Sequence, residues 1–360
     1  MSAPAPGQRL LIRADAGPGI GAGHVMRCLA LAQAWREAGG EVRFAMASGE
    51  EVFRPVLQAE EIATVTVGAP AGSTADAQAT AAAAREMNAD WLLFDGYVFG
   101  ADFQRGVAGA APCTALLDDN GECAPHAVDL IVNQNAHARV AMYGDRRPGC
   151  LLLLGSPFAL LRRTFRQSAR PPKAKAASAA RLLVTLGAGD PDNVTGKVVA
   201  ALAPLAASNR ALQAIVVVGA VNPHAAALER AARDCPCSVE VRRSPSDMAG
   251  LMAWADAAVA AAGSTTWELL YMGVPTLSLV IAENQRAIAR RLADDGVVVN
   301  LGWHADLAPA DIAVVVGPLL AQEHRRAEMS RRGRALVDGQ GAARVVQAMR
   351  QLRAGKSQSQ

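Results

Sequence analysis

Short apolar runs alternate along the chain with longer Ala- and Leu-rich stretches in which apolar positions return every third or fourth residue. A strand buried on both faces needs no polar alternation, whereas a surface helix keeps its apolar stripe at a period of about 3.6 residues. The pattern predicts strands in the first half near Leu10 to Asp15, Glu41 to Ala45, Thr64 to Val67, Trp91 to Asp95, Thr114 to Asp118 and Asp129 to Asn133. In the second half it predicts them near Leu182 to Leu186, Ala214 to Val218, Ser238 to Val241, Ala257 to Ala261, Thr276 to Val280 and Val297 to Leu301. The stretches between read as helices, and this alternation gives parallel sheets with crossover helices. The fold class is α/β, with two Rossmann-like, doubly wound sheets of about six strands each.

Between Gln167 and Arg181 the chain is polar and basic and carries two prolines, as a linker does. The expected organisation is an N-terminal domain over 1–167, a linker over 168–181, a C-terminal domain over 182–350 and a frayed tail over 351–360. Ligands of doubly wound sheets bind outside the carboxyl ends of the strands, which places Asp15, Asp95, Asp118 and Asn133 toward a cleft. Two such sheets imply two lobes with the site between them.

Composition narrows the partner. The 360 residues suffice for about two domains, and 51% hydrophobic with 19% charged residues is a globular balance. Lys plus Arg at 36 against Asp plus Glu at 33 leaves +3, too slight for a nucleic-acid binder, so a small molecule is expected. Six cysteines without a C-x-x-C pair build neither a disulfide framework nor a zinc site, which fits a reducing compartment. The chain start lacks a charged-then-apolar leader, and no apolar stretch nears about 18 uninterrupted residues. A cytoplasmic protein without stable membrane insertion is expected, with no metal and no cofactor. Nothing in the composition sets an oligomeric state.

Gly17 to Arg27, GPGIGAGHVMR, follows a predicted strand and opens a helix. Glycines permit positive φ and close ligand approach, and the helix start offers unpaired N–H groups to an anion. His24 stands where a dinucleotide fingerprint would have its third glycine. An imidazole there is placed to accept a proton from water; a solvated or capping histidine is the alternative. The strand WLLFD ends at Asp95 and is followed by Gly96 and Tyr97, where a phenol can orient a sugar hydroxyl or water, or merely cover the sheet edge. LLDDNGE, Leu116 to Glu122, lacks a calcium spacing and reads as a turn.

In the second half, AAGSTTWELLYMGVPTLSL brings Gly263, Ser264 and Thr265 to a helix start suited to phosphate, with Glu268 one turn inside to accept ribose hydroxyls. The same T-x-x-E, Thr265 to Glu268, also reads as a capping box. TLGAGDP, with Gly187 and Gly189, reads as a third anion loop, and Asn284 and Gln285 as neutral donors to phosphate or sugar, or as caps. His126, His137, His224, His304 and His324 have no metal-ligand spacing and are expected at the surface.

Assembled, these residues resemble the UDP-sugar hydrolase family of pseudaminic acid biosynthesis, which acts on UDP-2,4-diacetamido-2,4,6-trideoxy-β-L-altropyranose. The resemblance runs from about Leu10 to Leu301. It rests on Arg13 and Asp15, Gly19 to Cys28, Asp95 with Tyr97, Val128 to Ala138, the LGSPFALLR run ending at Arg162, Ala262 to Glu268, and Glu283 to Gln285. The AGST-x-x-E part is shared with the wider class of UDP-sugar glycosyltransferases. The resemblance implies a two-Rossmann-domain glycosyltransferase-B fold, UDP held by the C-terminal domain, and no metal. It implies a catalytic group of His24, the base that activates water, with Tyr97 and Asp15. Substrate contacts are implied at Arg13, Gly21, Gly23, Asp95, Asn133, Gly187, Gly263, Ser264, Thr265, Glu268, Asn284 and Gln285. The expected partners are a UDP-sugar and water. One position departs: Gly96 stands where the family usually carries His. A sister enzyme for another diamino sugar, a glycosyltransferase of the same fold, and a nucleotide-sugar-binding protein without turnover stay open as alternatives.

Overall fold

The computed structural model describes residues 7–17, 21–168, 181–187, 189–209, 211–219 and 222–358. Gly19 of the glycine-rich turn, Ala188 and most of the expected linker lie outside the described residues. The chain forms two compact units, Met1–Arg163 with Gly339–Gln360, and Thr164–Asp338.

The first unit contains β1 (Arg9–Ala14), α1 (Gly23–Glu37), β2 (Glu41–Met46), α2 (Glu50–Ala59), β3 (Ala63–Thr66), α3 (Thr74–Glu86), β4 (Trp91–Asp95), α4 (Ala101–Gly106), β5 (Cys113–Leu117), β6 (Leu130–Asn133) and β7 (Leu151–Leu154). Its seven strands are parallel, in the order β3-β2-β1-β4-β5-β6-β7. The sequence pattern missed β7, whose apolar run merges with the segment through Gly155 and Pro157. Both faces of the sheet are covered. Leu10 and Ile12 of β1 pack with α1, and the intervening Leu11 packs in a separate cluster with α3 and α4. That double burial is why these strands show no polar alternation.

After α5 (Arg163–Gln167), the second unit contains β8 (Arg181–Thr185), α6 (Val194–Ser208), β9 (Gln213–Val218), α7 (Ala225–Arg233), β10 (Ser238–Arg243), α8 (Met248–Trp254), β11 (Ala257–Ala261), α9 (Thr265–Met272), β12 (Thr276–Val280), α10 (Arg286–Asp294), β13 (Val298–Trp303), α11 (Pro309–Ala321) and α12 (Glu323–Leu336). Its six strands are parallel, in the order β10-β9-β8-β11-β12-β13.

The last helix, α13 (Gly341–Gln358), returns to the first unit. Ala342, Val345, Val346 and Met349 form a stripe at helical spacing and join the cluster containing α1. Each larger side chain so buried contributes about 1.5 to 3 kcal/mol, and Lys356 near the helix end lies 2.7 Å from Asp129. This corrects two expectations: 339–350 does not belong with the C-terminal domain, and the expected frayed tail is helical to Gln358.

In each sheet the strand order reverses once, between β1 and β4 and between β8 and β11. The crevice at such a reversal is where doubly wound folds bind ligands. The register sets Ala14 beside Asp95 and Thr185 beside Ala260, so the turns leaving each pair of strands start as neighbours.

Candidate functional site

In the first unit, α1 begins after Ala22 with no side-chain cap and no acidic residue in its first turn. His24 sits in that turn, its Nδ1 2.6 Å from Oδ1 of Asp95, the last residue of β4. Arg27, three residues on, shares His24's face. It grips Asp95 through Nε at 2.7 Å and Nη2 at 2.6 Å, and Asp119 through Nη1 at 2.6 Å. Burial alone would raise the Asp95 pKa, but Arg27 and His24 outweigh it and hold the carboxyl well below the usual carboxylate range. Arg27 Nη2 also lies 3.3 Å from His24 Nδ1, but a guanidinium only donates, and the shorter carboxylate contact decides the tautomer. Nδ1 therefore carries the proton toward Asp95, leaving Nε2 with its lone pair as the basic atom.

Asp119 follows β5 and accepts three further-spaced residues into one hub: Arg27, Tyr97 Oη at 2.8 Å and Asn135 Nδ2 at 2.7 Å. Tyr97 is 43% exposed, and its ring stands edge-on to His24 with centroids 5.0 Å apart, so the phenol walls one side of the imidazole. His24 and Tyr97, expected in one catalytic group, lie together here, and Asp95, expected as a substrate contact, lies with them.

Four other expected site residues are supports, because their polar atoms are turned inward. Arg13 is 0% exposed and forks onto Asp76 at 2.9 and 2.8 Å. Its Nη1 lies 2.8 Å from Asp15, whose other oxygen accepts the N–H groups of Ala47 and Ser48. Asp76 also accepts from Gly72 N, and a Cβ on Gly72 would strike Val98, so this clamp backs the Tyr97 turn. Asp15, expected as catalytic, and Arg13, expected as a substrate contact, are thus both engaged inside the fold. Asp95 positions His24. Asn133 is buried, donating to the Asp119 carbonyl and to Tyr143 Oη at 2.8 Å each. Asp118 does not face outward either; it accepts from Tyr143 and Gly121, and burial raises its pKa.

Gly21 has φ +77° with open space where a Cβ would stand, and Gly23 is the first residue of α1. Gly96 is closed: its φ is +157°, and an added Cβ would lie 2.9 Å from the Phe99 ring. A His at this position requires Phe99 to move.

Three histidines expected at the surface are not there. His126 and His304 are buried, and His137 is half-buried against Asp119, where burial lowers its pKa. Arg27, Asp119 and Asn135 were missed as site residues. The signal for Arg27 was its spacing from His24; for Asp119, its place just past a predicted strand.

In the second unit, α9 begins after Ser264 without a side-chain cap. Thr265 is the first helical residue rather than the cap, so the alternative capping box with Glu268 does not form. Glu268 is half-buried one turn inside. Gln285 accepts from Ile281 N through Oε1 at 3.0 Å, which leaves Nε2 turned toward the Gly263 turn, 3.9 Å from the position of a Gly263 Cβ. Asn284 is exposed beside it, and Gln285, at the cap position of α10, makes no side-chain cap bond there.

Gly187, with φ +95°, has open space at its Cβ position. The expected third anion loop is otherwise corrected. Asp190, buried, accepts from Val194 N and Thr195 N at 2.8 Å each, so a carboxylate already occupies the start of α6. Among the described residues no group of three or more His, Cys, Asp or Glu could hold a metal ion, and no helix is long and apolar enough to cross a membrane.

Compared with models of known protein families, the chain matches none. It is 29% identical over 269 residues to the spore coat polysaccharide biosynthesis protein SpsG of Bacillus subtilis, covering 73% of this chain and 77% of that one. Among solved structures it is similar to MurG of Acinetobacter baumannii, with a TM-score of 0.66 at 16% identity, covering 96% of this chain and 99% of that one. It is likewise similar to CalG4, the calicheamicin glycosyltransferase, with a TM-score of 0.64 at 16% identity, covering 96% and 98%. The two parallel-sheet α/β units, of seven and six strands, match the glycosyltransferase-B fold.

Proposed function

We propose that this chain is a UDP-sugar hydrolase that releases UDP and a free diacetamido-trideoxyhexose in nonulosonic (pseudaminic) acid biosynthesis. The observation that carries the reading is His24 Nδ1 fixed at 2.6 Å by an ionised Asp95 at an uncapped helix start, with Nε2 left as the base. Similarity to a polysaccharide biosynthesis protein supports carbohydrate chemistry.

In this mechanism Nε2 takes a proton from water while the water oxygen attacks the anomeric carbon. The bond from that carbon to the UDP oxygen breaks, and UDP leaves with the electron pair. Asp95 stabilises the imidazolium that forms, as an orienting carboxylate does. Tyr97, held by Asp119, orients the water or a sugar hydroxyl. The leaving charge is met by the N–H groups of Ser264 and Thr265 and by Asn284 and Gln285, while Glu268 accepts the ribose hydroxyls. Preorganised dipoles of this kind are worth about 3 to 4 kcal/mol per donor in the transition state. No step requires a metal, so activity should persist in excess EDTA; loss restored by magnesium would overturn that part.

A glycosyltransferase is the second reading, since the same base can deprotonate an alcohol, and exposed Val98 beside Tyr97 offers an acceptor an apolar surface. One experiment separates them. A panel of UDP-diacetamido sugars is incubated in ¹⁸O-labelled water, and products are followed by NMR and mass spectrometry. Hydrolysis at carbon puts the label in the free sugar. Label in phosphate means attack at phosphorus and overturns the mechanism, and sugar release that depends on an added alcohol selects the transferase.

A further inference from the structure

We propose that Arg286 supplies the positive charge met by the diphosphate, swinging onto it from a resting place between Trp303 and Glu283. The inference rests on the UDP reading above and adds a residue to it. A nucleoside diphosphate brings about two negative charges, whereas a helix start offers the equivalent of about half a positive one. Asn284 and Gln285 add dipoles but no charge. The α9 turn as described is therefore short of positive charge.

Lys197 in the first turn of α6, and Arg242 and Arg243 at the carboxyl end of β10, are engaged. Lys197 Nζ is held by the carbonyls of His304 and Leu307 at 2.8 and 3.4 Å. Arg242 is tied to Glu240, and Arg243 to Glu229. Arg286 differs. It directly follows Gln285, the residue whose amide approaches Gly263, so its backbone is already beside the anion turn. Its carboxylate contacts use Nε alone, 2.8 Å from each oxygen of Glu283, and no described residue takes up Nη1 or Nη2.

Those restraints are weak. The Arg286 side chain is 48% exposed and that of Glu283 76%, which makes theirs a solvent-screened surface pair. The guanidinium rests 4.3 Å from the Trp303 ring centroid, a stacking contact that orders it without consuming its outer donors. A planar fork with both Nη groups available matches a diphosphate better than any neutral amide. The alternative destination for the diphosphate, the start of α6, is filled by the Asp190 carboxylate.

The test is calorimetry of the full chain with UDP, UMP and uridine, at two salt concentrations, for wild type and for R286Q, R286K and E283Q. R286Q should weaken UDP binding about tenfold or more, UMP less and uridine not at all, with a shallower salt dependence. R286K should restore part of the loss, and E283Q should tighten UDP a few-fold by releasing the guanidinium. Equal weakening of all three ligands would mark Arg286 as structural, and unchanged UDP binding in R286Q would overturn the proposal. Should R286Q fail to fold, E283Q decides alone: tighter UDP binding supports the proposal, and unchanged or weaker binding overturns it. A wild type that binds none of the three ligands overturns the UDP reading itself, an outcome distinct from failure of the arginine.

Discussion

Helices α6 and α9 start alike and are finished differently. Each follows a strand flanking the point where the second sheet reverses its order, and each leaves a glycine-containing turn. At α6 the chain folds Asp190 back, with φ +44°, onto the first helical N–H groups. At α9 Ser264 holds the cap position in a helical conformation, φ −58° and ψ −32°, and makes no side-chain cap bond. A glycine-rich turn before a helix is therefore not by itself an anion site; what decides is whether the protein's own carboxylate takes the donors first. The start of α1 sides with α9, uncapped, and it holds His24.

If the uncapped start of α1 is where chemistry happens, His24→Ala should lose about 10²- to 10⁴-fold in turnover while still binding UDP, whose proposed anchors are in the other unit. Steady-state kinetics beside calorimetry checks this. Wild-type turnover in the variant would leave α1 no different in kind from α6.

Next in size is the carboxylate beneath the imidazole. Asp95→Ala leaves the buried Arg27 guanidinium with Asp119 as its remaining carboxylate partner, which should cost up to about 3 kcal/mol of stability. The pH dependence has a fixed sign. The folded pKa of Asp95 is depressed, so its contribution is fully present above the unfolded carboxylate pKa of about 3.9 and is lost as pH falls from about 5 downward. Denaturant melts of Asp95→Asn should be flatter over that acid range than those of wild type. Parallel curves would mean Asp95 is not held ionised by its neighbours.

These residues also show what a sequence discloses. All strands but β7, and the helix carrying His24, were legible because each follows from local period and turn chemistry. The Phe94 and Leu11 runs show no alternation for the simple reason that both faces are covered. What stayed hidden was partnership across the chain. Arg13 finds Asp76 and Arg27 finds Asp95 only after the sheet is assembled. Arg13 and Asp15 therefore read as site residues, although they lock loops behind it. The stripe on α13 was not read from the sequence, and its burial depends on α1, distant along the chain. Asp119 read as a turn because a carboxylate hub has no sequence spacing of its own.

Glu268 tests the open half of the comparison. Its replacement by Ala should weaken UDP binding by about 1 to 3 kcal/mol if it accepts charge-assisted bonds from the ribose. Unchanged affinity with a lowered melting temperature would return Glu268 to a purely structural role.

Asp190 tests the closed half, with the smallest effect and the opposite signature. Asp190→Ala removes an acceptor from two N–H groups at the start of α6 and should cost about 0.5 to 2 kcal/mol, the usual loss for a helix cap. UDP affinity should stay at the wild-type value if the proposed site at α9, and not α6, takes the diphosphate. The vacated helix start then resembles that of α9, and inorganic phosphate can occupy it. The deficit against wild type should accordingly narrow in phosphate buffer relative to a non-coordinating buffer at the same ionic strength, by up to about 1 kcal/mol. A deficit that is the same in both buffers would mean that the geometry of the longer turn, rather than the Asp190 carboxylate, keeps anions away from α6. An Asp190→Ala variant that also loses UDP would place the diphosphate at α6 and reverse the comparison.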